Sequence, residues 1–351
     1  MADILSPAER LSAALAELDR LWARGCAFLG TSTAIMGGAM SWVSERNLVA
    51  AISNAGGFGV LACGSMMPDR LAAEIAATQA LTKQPFGVNL ITMHPELDGL
   101  VKVCIEAGVG HVVLAGGIPP GAAVRAVKDS GAKLIAFAPA LVLAKRLVRS
   151  GADALVIEGS EAGGHIGPVS LTVLAQEILP HLRDVPIFVA GGLARGDAIL
   201  GYLDMGAAGA QLGTRFAAAT ESIAHPKFKA AFFRANARDA LPSVQLDSRF
   251  PVISVRGLVN GGTRRFMEHQ TQTIAKFLAG ELSKEAAQLD IEHFWAGALR
   301  RAVVDGDVEE GSVMAGQSVG MVTREQSVAD ILDELRQQAA AALAARAPWS
   351  G

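Results

Sequence analysis

Residues 186–216, PIFVAGGLARGDAILGYLDMGAAGAQLGTRF, decide the fold of this chain. They hold two short apolar bursts, Pro186-Ile187-Phe188-Val189-Ala190 and Gly209-Ala210-Gln211-Leu212, each running straight into glycine. Each burst is too short for a helix and is apolar on both faces, the pattern of a strand covered on both sides of a parallel sheet. Outward from this stretch the same unit recurs at 34–36, 58–61, 86–90, 111–114, 133–137 and 154–157, which makes eight. The spacers hold helical segments such as 71–81, 122–128 and 141–148. Strands that alternate with helices give a parallel sheet, and eight repeats predict closure into a parallel (β/α)8 TIM barrel. An open doubly wound sheet would need GxGxxG after its first strand. The first burst is followed by Gly37-Gly38-Ala39-Met40-Ser41-Trp42, which lacks that spacing.

The two ends of the chain depart from this rhythm. Ser6-Pro7-Ala8-Glu9 reads as a capping box, and Leu11, Leu15, Leu18 and Trp22 mark one face of a helix predicted to end near Gly25. This helix is expected to cover the closed end of the barrel or to pack on its side. Residues 1–32 therefore read as an N-terminal helical extension. Residues 33–351 read as one barrel domain, with an insertion around 241–265 rich in Ser, Arg and Gly. C-terminal helices are expected at about 266–281, 287–303 and 325–345, without an independent core.

Composition narrows the function classes. Hydrophobic residues make up 51% of the chain, but charges or glycines interrupt every apolar run. None reaches the roughly 18–20 residues needed to span a bilayer. The start, MADILSPAER, lacks the basic-then-apolar order of a secretion signal, so a soluble cytoplasmic protein is expected. Lys and Arg number 31 against 34 Asp and Glu, with no dense basic tract, which argues against nucleic acid as a partner. Cys26, Cys63 and Cys104 are widely spaced and form no CxxC pair; they read as small buried hydrophobes in a reducing compartment. The Phe228, Phe232 and Phe233 cluster is expected in the core rather than at a dimer surface.

In such a barrel the functional groups sit in the loops after the strands, with a phosphate commonly held after strands seven and eight. Here those loops open with Gly191-Gly192 and Gly213-Thr214. Glycines let N–H groups approach phosphate oxygens, a following helical turn adds partial positive charge, and Thr214 adds a hydroxyl donor. A glycine pair after one strand can be merely a tight turn; at two successive strand ends it marks a phosphate site. The loop after the sixth burst, Glu158-Gly159-Ser160-Glu161-Ala162-Gly163-Gly164-His165-Ile166-Gly167, has a backbone that can lie against a flat ligand. Its imidazole can act as general base, hydrogen-bond donor or proton relay; the competing interpretation is a satisfied loop histidine. His111, at the start of a strand, is expected to be structural. Asn89 lies near the end of the third burst, where an inward-facing amide can meet the polar edge of a heterocycle. Glu158 can accept from a ligand hydroxyl, such as one on a ribityl chain, or pair with a nearby cation; both stay open.

Ser53-Asn54-Ala55-Gly56-Gly57-Phe58-Gly59, the 158–167 loop, the 190–193 turn and GAAGAQLGTRFAAATES at 206–222 together resemble the nitronate monooxygenase (2-nitropropane dioxygenase) family. The same motifs occur in its close relative, the flavin-dependent enoyl-acyl-carrier-protein reductase. The resemblance runs from about residue 33 to 338 and implies an FMN-binding barrel. Carried over, it puts Gly38, Ala39 and Met40 beside the isoalloxazine, with Asn89 on the ring edge. It lines the flavin with Glu158, Ala162 and Gly163, gives the phosphate to Gly191, Gly192, Gly213 and Thr214, and turns His165 toward the substrate. It implies no metal. The 144–146, 151–154 and 306–317 stretches look closer to the reductase. Ala34 replaces the family's usual Pro, and Ala39 its second loop Gly.

The leading activity so implied is oxidation of nitronates or nitroalkanes with O2. The alternative is reduction of an enoyl thioester with NAD(P)H, and a further one is a flavin-binding protein without turnover. A homodimer stays open. A purine-nucleotide dehydrogenase is excluded, because its chemistry needs a cysteine nucleophile after strand six and no cysteine follows Cys104. A flavin-free phosphosugar isomerase would leave the glycine-rich histidine loop unexplained.

Overall fold

Parallel pairing carries the backbone around a barrel in the computed structural model, which describes residues 6–252, 254–295 and 297–346. The barrel strands are β1 (Ile35–Gly37), β2 (Gly59–Ala62), β3 (Phe86–Ile91), β4 (His111–Ala115), β5 (Lys133–Phe137) and β6 (Ala154–Glu158). After the two-residue β7 (Gly164–His165) come β8 (Ile187–Ala190) and β9 (Gly209–Leu212). Their order is β1-β9-β8-β6-β5-β4-β3-β2. The parallel bridge Met36–Phe58 brings β1 back to β2, with Gly37 N–H donating to Phe58 O at 2.8 Å and Phe58 N–H to Ile35 O at 2.9 Å. All eight predicted bursts are barrel strands, so the TIM barrel expected from their spacing is the fold observed.

Aromatic packing stops the barrel at the N-terminal ends of its strands. Phe58 and His111 stack edge-on at 4.9 Å, and Phe28 sits 5.3 Å from His111 and 6.2 Å from Phe188. His111 Nε2 lies 2.9 Å from Phe28 O, which gives this histidine the structural role expected of it. Phe28 belongs to a second N-terminal helix, Ala23–Leu29. The first, Pro7–Leu21, starts on the predicted capping box and packs beside Val328–Ala344, where Arg336 pairs with Asp19 at 3.0 Å. One piece of the extension thus covers the closed end and the other lies on the side.

Two expectations shift, and the insertion gains pairing that the sequence did not show. The first helix does not run to Gly25; it stops at Leu21, and Gly25 lies inside the second helix, which Gly30 ends at φ 73°. Gly25 is required by close approach, since a Cβ there would stand 2.0 Å from Ala208 O. The insertion around 241–265 is ordered: β10 (Ala240–Pro242) pairs antiparallel with β11 (Val255–Leu258), and β11 pairs with β7. The second predicted C-terminal helix is broken into Lys284–His293, Ala298–Arg300 and a π-turn at Arg301–Asp305, with Gly297 at φ 72° between the first two. Phe250, Phe266, Ala287 and Ile291 form a small apolar cluster of their own, so the insertion and C-terminal helices carry a minor core that was not expected. Phe228 and Phe232 are buried in the main core, as expected, and Phe233 packs against it. Among the described residues no helix is long and apolar enough to cross a membrane.

Two glycines test the close packing. A Cβ on Gly209 would stand 2.2 Å from Ala34 O, whereas one on Gly201, in the helix Gly196–Asp204, would meet nothing within 4 Å. Gly209→Ala should destabilise the fold by about 1–3 kcal/mol through overpacking. Gly201→Ala should stabilise it by about 0.4–1 kcal/mol, because alanine has less freedom to lose on helix formation. Urea midpoints moving in opposite directions would verify the pair.

Candidate active site

Register puts polar side chains on the inner wall of the barrel. Met36 pairs with Gln211, Gln211 with Ala190 and Ala190 with Glu158, so these residues share one face of the sheet. Asn89 on β3 and Gln211 on β9 are only 6% and 8% exposed. Neither amide, nor the Glu158 carboxyl, finds a protein hydrogen-bond partner among the described residues. None of their polar atoms is sealed from solvent, so three side chains without protein partners at one end of a barrel stand open to a polar ligand. Glu158 has some open surface toward the mouth yet sits deep below the protein envelope, and this burial pushes its pKa up to about 8. The carboxyl is therefore the neutral acid at neutral pH. No cation pairs with it among the described residues.

The glycine-rich loop after β6 is shaped by what presses on it. A Cβ on Gly159 would stand 2.3 Å from Leu171 N, and one on Gly163 would stand 2.5 Å from Gly316 N. The loop ends in β7, where His165 pairs with Val255 and Gly164 with Arg256 of β11. His165 is exposed, yet partial burial of its ring lowers its pKa from 6.5. The imidazole is thus neutral near pH 7 and able to accept a proton. Arg256, only 6% exposed, donates from Nε to Ser160 O at 2.9 Å and from Nη1 to Ala240 O at 2.5 Å. A planar fork of donors suits this double tie. Farther along the loop, Gln317 N–H donates to Glu161 O at 2.9 Å and Gly316 N–H to Thr214 Oγ1 at 3.0 Å.

The predicted phosphate loops lie beside this wall. Gly191 and Gly192 follow β8 at φ 97° and 70°, and neither amide is engaged in a backbone hydrogen bond among the described residues. Gly213 and Thr214 follow β9 into the turn Thr214–Ala217, and Met40 Sδ lies 3.5 Å from where a Cβ on Gly213 would stand. Gly38 N–H donates to Leu212 O at 2.8 Å, while Ser44 Oγ donates to Gly38 O at 2.8 Å and accepts from Met40 N–H at 3.0 Å. Ala39 and Met40 are half-buried there, and Ala162 is buried in the glycine loop. Every predicted site residue therefore lies at the C-terminal end of the barrel. Cys63 stays inert: burial pushes its thiol up to about 12, and Sγ donates to Asn89 O at 2.8 Å. Among the described residues there is no cluster of His, Cys, Asp or Glu suited to a metal.

Sequence reasoning missed four contributors. Gln211 was visible as a polar side chain in an otherwise apolar burst. Thr92 has a buried hydroxyl without a partner at the end of β3. Trp42 takes a left-handed φ of 68° after β1. Arg256, inside an insertion of no evident pattern, gave no signal.

The buried acid makes stability depend on pH. Between the ordinary carboxyl value of 4.5 and about 8, folded Glu158 holds a proton that the unfolded chain has released. The flavin-free fold should lose stability as pH rises through that window. Glu158→Gln, permanently neutral, should flatten this slope in urea titrations run from about pH 5 to about pH 8; an unchanged slope would contradict the assignment.

Comparison with known proteins agrees with this architecture. The family model described as nitronate monooxygenase matches residues 24–338. The chain is 30% identical over 319 residues to (3aS,4S,5R,7aS)-5-hydroxy-7a-methyl-1-oxo-octahydro-1H-indene-4-carboxyl-CoA dehydrogenase of Mycobacterium tuberculosis, covering 84% of this chain and 90% of that protein. FabK from Thermotoga maritima superposes with a TM-score of 0.80 at 35% identity, covering 89% of this chain and 94% of that one. Nitroalkane oxidase from Streptomyces ansochromogenes gives 0.74 at 27% identity, covering 89% and 97%. These relationships support a flavin as the cofactor and a small molecule as the substrate. On the family match across most of its length, this chain belongs to the nitronate monooxygenase family of oxidoreductases.

Proposed function

We propose that this oxidoreductase binds FMN across the barrel mouth and oxidises nitronates or nitroalkanes with O2. The observation that carries the proposal is the polar floor of Asn89, Glu158 and Gln211, unpartnered and flanked by the His165 loop and the two glycine turns. When bound, FMN supplies the redox step, taking electrons from the substrate and passing them to O2. The chain does the rest. Gly191, Gly192, Gly213 and Thr214 hold the phosphate through N–H groups and a hydroxyl. Gly38, Ala39 and Met40 would border the isoalloxazine, and Ala162 and Gly163 would line the flavin. The amides of Asn89 and Gln211 meet its polar edge, and the neutral Glu158 carboxyl, which can donate as well as accept, meets a ribityl hydroxyl. His165, neutral at working pH, orients the nitro oxygens of a nitronate or removes the α-proton of a neutral nitroalkane.

A second reading, reduction of an enoyl thioester, is favoured by the rim of the mouth. Met67, Met93 and Ile118, in the segments after β2, β3 and β4, expose large apolar side chains that a small nitronate does not need. NAD(P)H would supply the electrons, the β-carbon would receive hydride, and His165 would position the thioester or help protonate the α-carbon.

His165→Ala should lower turnover by about 10²–10⁴-fold while bound FMN is retained. Neutral nitroalkane turnover by the unaltered protein should hold below pH 6.5 and fall only as pH drops through the lowered pKa of His165, where the base becomes protonated. An anaerobic visible titration separates the two readings. Bleaching by a nitronate but not by NADH or NADPH supports the first, and rapid bleaching by a reduced nicotinamide supports the second. A colourless protein that cannot be reconstituted with FMN defeats both, and bound FMN that no donor reduces would leave a binding protein.

A further inference from the structure

The rim carries a second unusual feature besides its apolar side chains. Trp42, in the loop after β1, is the one non-glycine residue with positive φ among the described residues, a conformation that costs about 1–3 kcal/mol and persists only when its surroundings enforce it. Two cations meet its ring: the guanidinium carbon of Arg70 lies 5.5 Å from the ring centroid and that of Arg300 5.8 Å. Arg300 is neutralised by Asp305 at 3.0 Å. Arg70 is exposed near the start of the helix Pro68–Leu81 and pairs with no carboxylate among the described residues. Met67 caps that same helix, three residues before Arg70. A Cβ on Gly64 would stand 3.4 Å from both Ser41 Oγ and Ile91 Cγ1, so the loops after β1 and β2 and the end of β3 form one continuous lip.

An arginine held against an aromatic face loses side-chain freedom but keeps its N–H donors at the guanidinium edge. That edge matches the oxygens of a phosphate and can take two of them at once. We propose that Arg70, steadied on Trp42 beside Arg300, is a phosphate subsite at the rim that takes the phosphate of a phosphopantetheine arm. Met67, Met93 and Ile118 offer apolar surface to the gem-dimethyl carbon beside that phosphate, and the thioester end reaches in toward His165. The inference rests on the thioester reading of the site, and it names the part of the substrate that a small nitronate lacks.

Calorimetric titration of the purified flavoprotein tests it without relying on turnover. The probes are coenzyme A, pantetheine without its phosphate, and adenosine 3′,5′-bisphosphate without the arm. Coenzyme A should bind about tenfold or more tightly than pantetheine, as expected of one charge-assisted contact. Arg70→Gln should erase that difference without lowering the melting temperature or the pantetheine affinity. Equal affinities for coenzyme A and pantetheine would overturn the subsite, as would coenzyme A binding that Arg70→Gln leaves untouched. If the bisphosphate alone reproduces the Arg70-dependent binding, the site takes nucleotide phosphates and the proposal fails. A carrier protein bearing the same arm identifies the source. Arg70-dependent binding of that protein assigns the arm to a carrier protein, and its absence beside tight coenzyme A binding assigns it to free coenzyme A. Arg70-dependent binding without turnover of any enoyl thioester keeps the subsite and removes the reduction reading.

Discussion

Asn89, Glu158 and Gln211 place hydrogen-bonding capacity on the inner wall of a closed parallel barrel, and no other described residue uses it. Such groups are costly to leave unmet in a poorly hydrated interior. The fold tolerates them because they lie at the open end, where a ligand can satisfy them. The neutral state of Glu158 belongs to the same account. With no cation beside it among the described residues, burial favours the protonated carboxyl, which offers both a donor and an acceptor.

Around that floor the backbone is organised by close approach. Gly191 stands against Gly159, Gly163 against Gly316, and Gly316 back against Glu161 O. These contacts leave no room for side chains, so the loops after β6 and β8 and the C-terminal 315–317 segment interlock through main chain. Arg256 finishes the assembly from outside by tying Ser160 to β10. The C-terminal layer therefore belongs to the site although it follows the barrel in sequence. Through Gly316 it reaches Thr214, and through Gln317 it reaches the histidine loop.

The barrel was legible because a strand covered on both faces leaves a plain trace, a burst of apolar residues ended by glycine, and eight such traces admit few architectures. The glycine loops were legible for a related reason, since backbone that must approach a ligand or another backbone cannot carry Cβ atoms. Gly25 misled because the same requirement, here imposed by Ala208 O, looks like a helix stop in one dimension. The clasp of β10 and β11 was hidden by its shortness, and its pairing with β7 spans about ninety residues of sequence. Arg256 was hidden for a different reason. A buried guanidinium whose hydrogen bonds go to main-chain carbonyl groups has no partner residue type to announce it.

The aromatic stopper at the base has a consequence for traffic. Phe28, His111, Phe58 and Phe188 shut the end opposite the floor, so the barrel has one doorway. Whatever reacts at the floor must enter and leave by the same opening. Two reactants that both need that space have to queue, the first departing before the second arrives. A barrel stoppered at one end thus makes every exchange with the floor pass through a single shared passage.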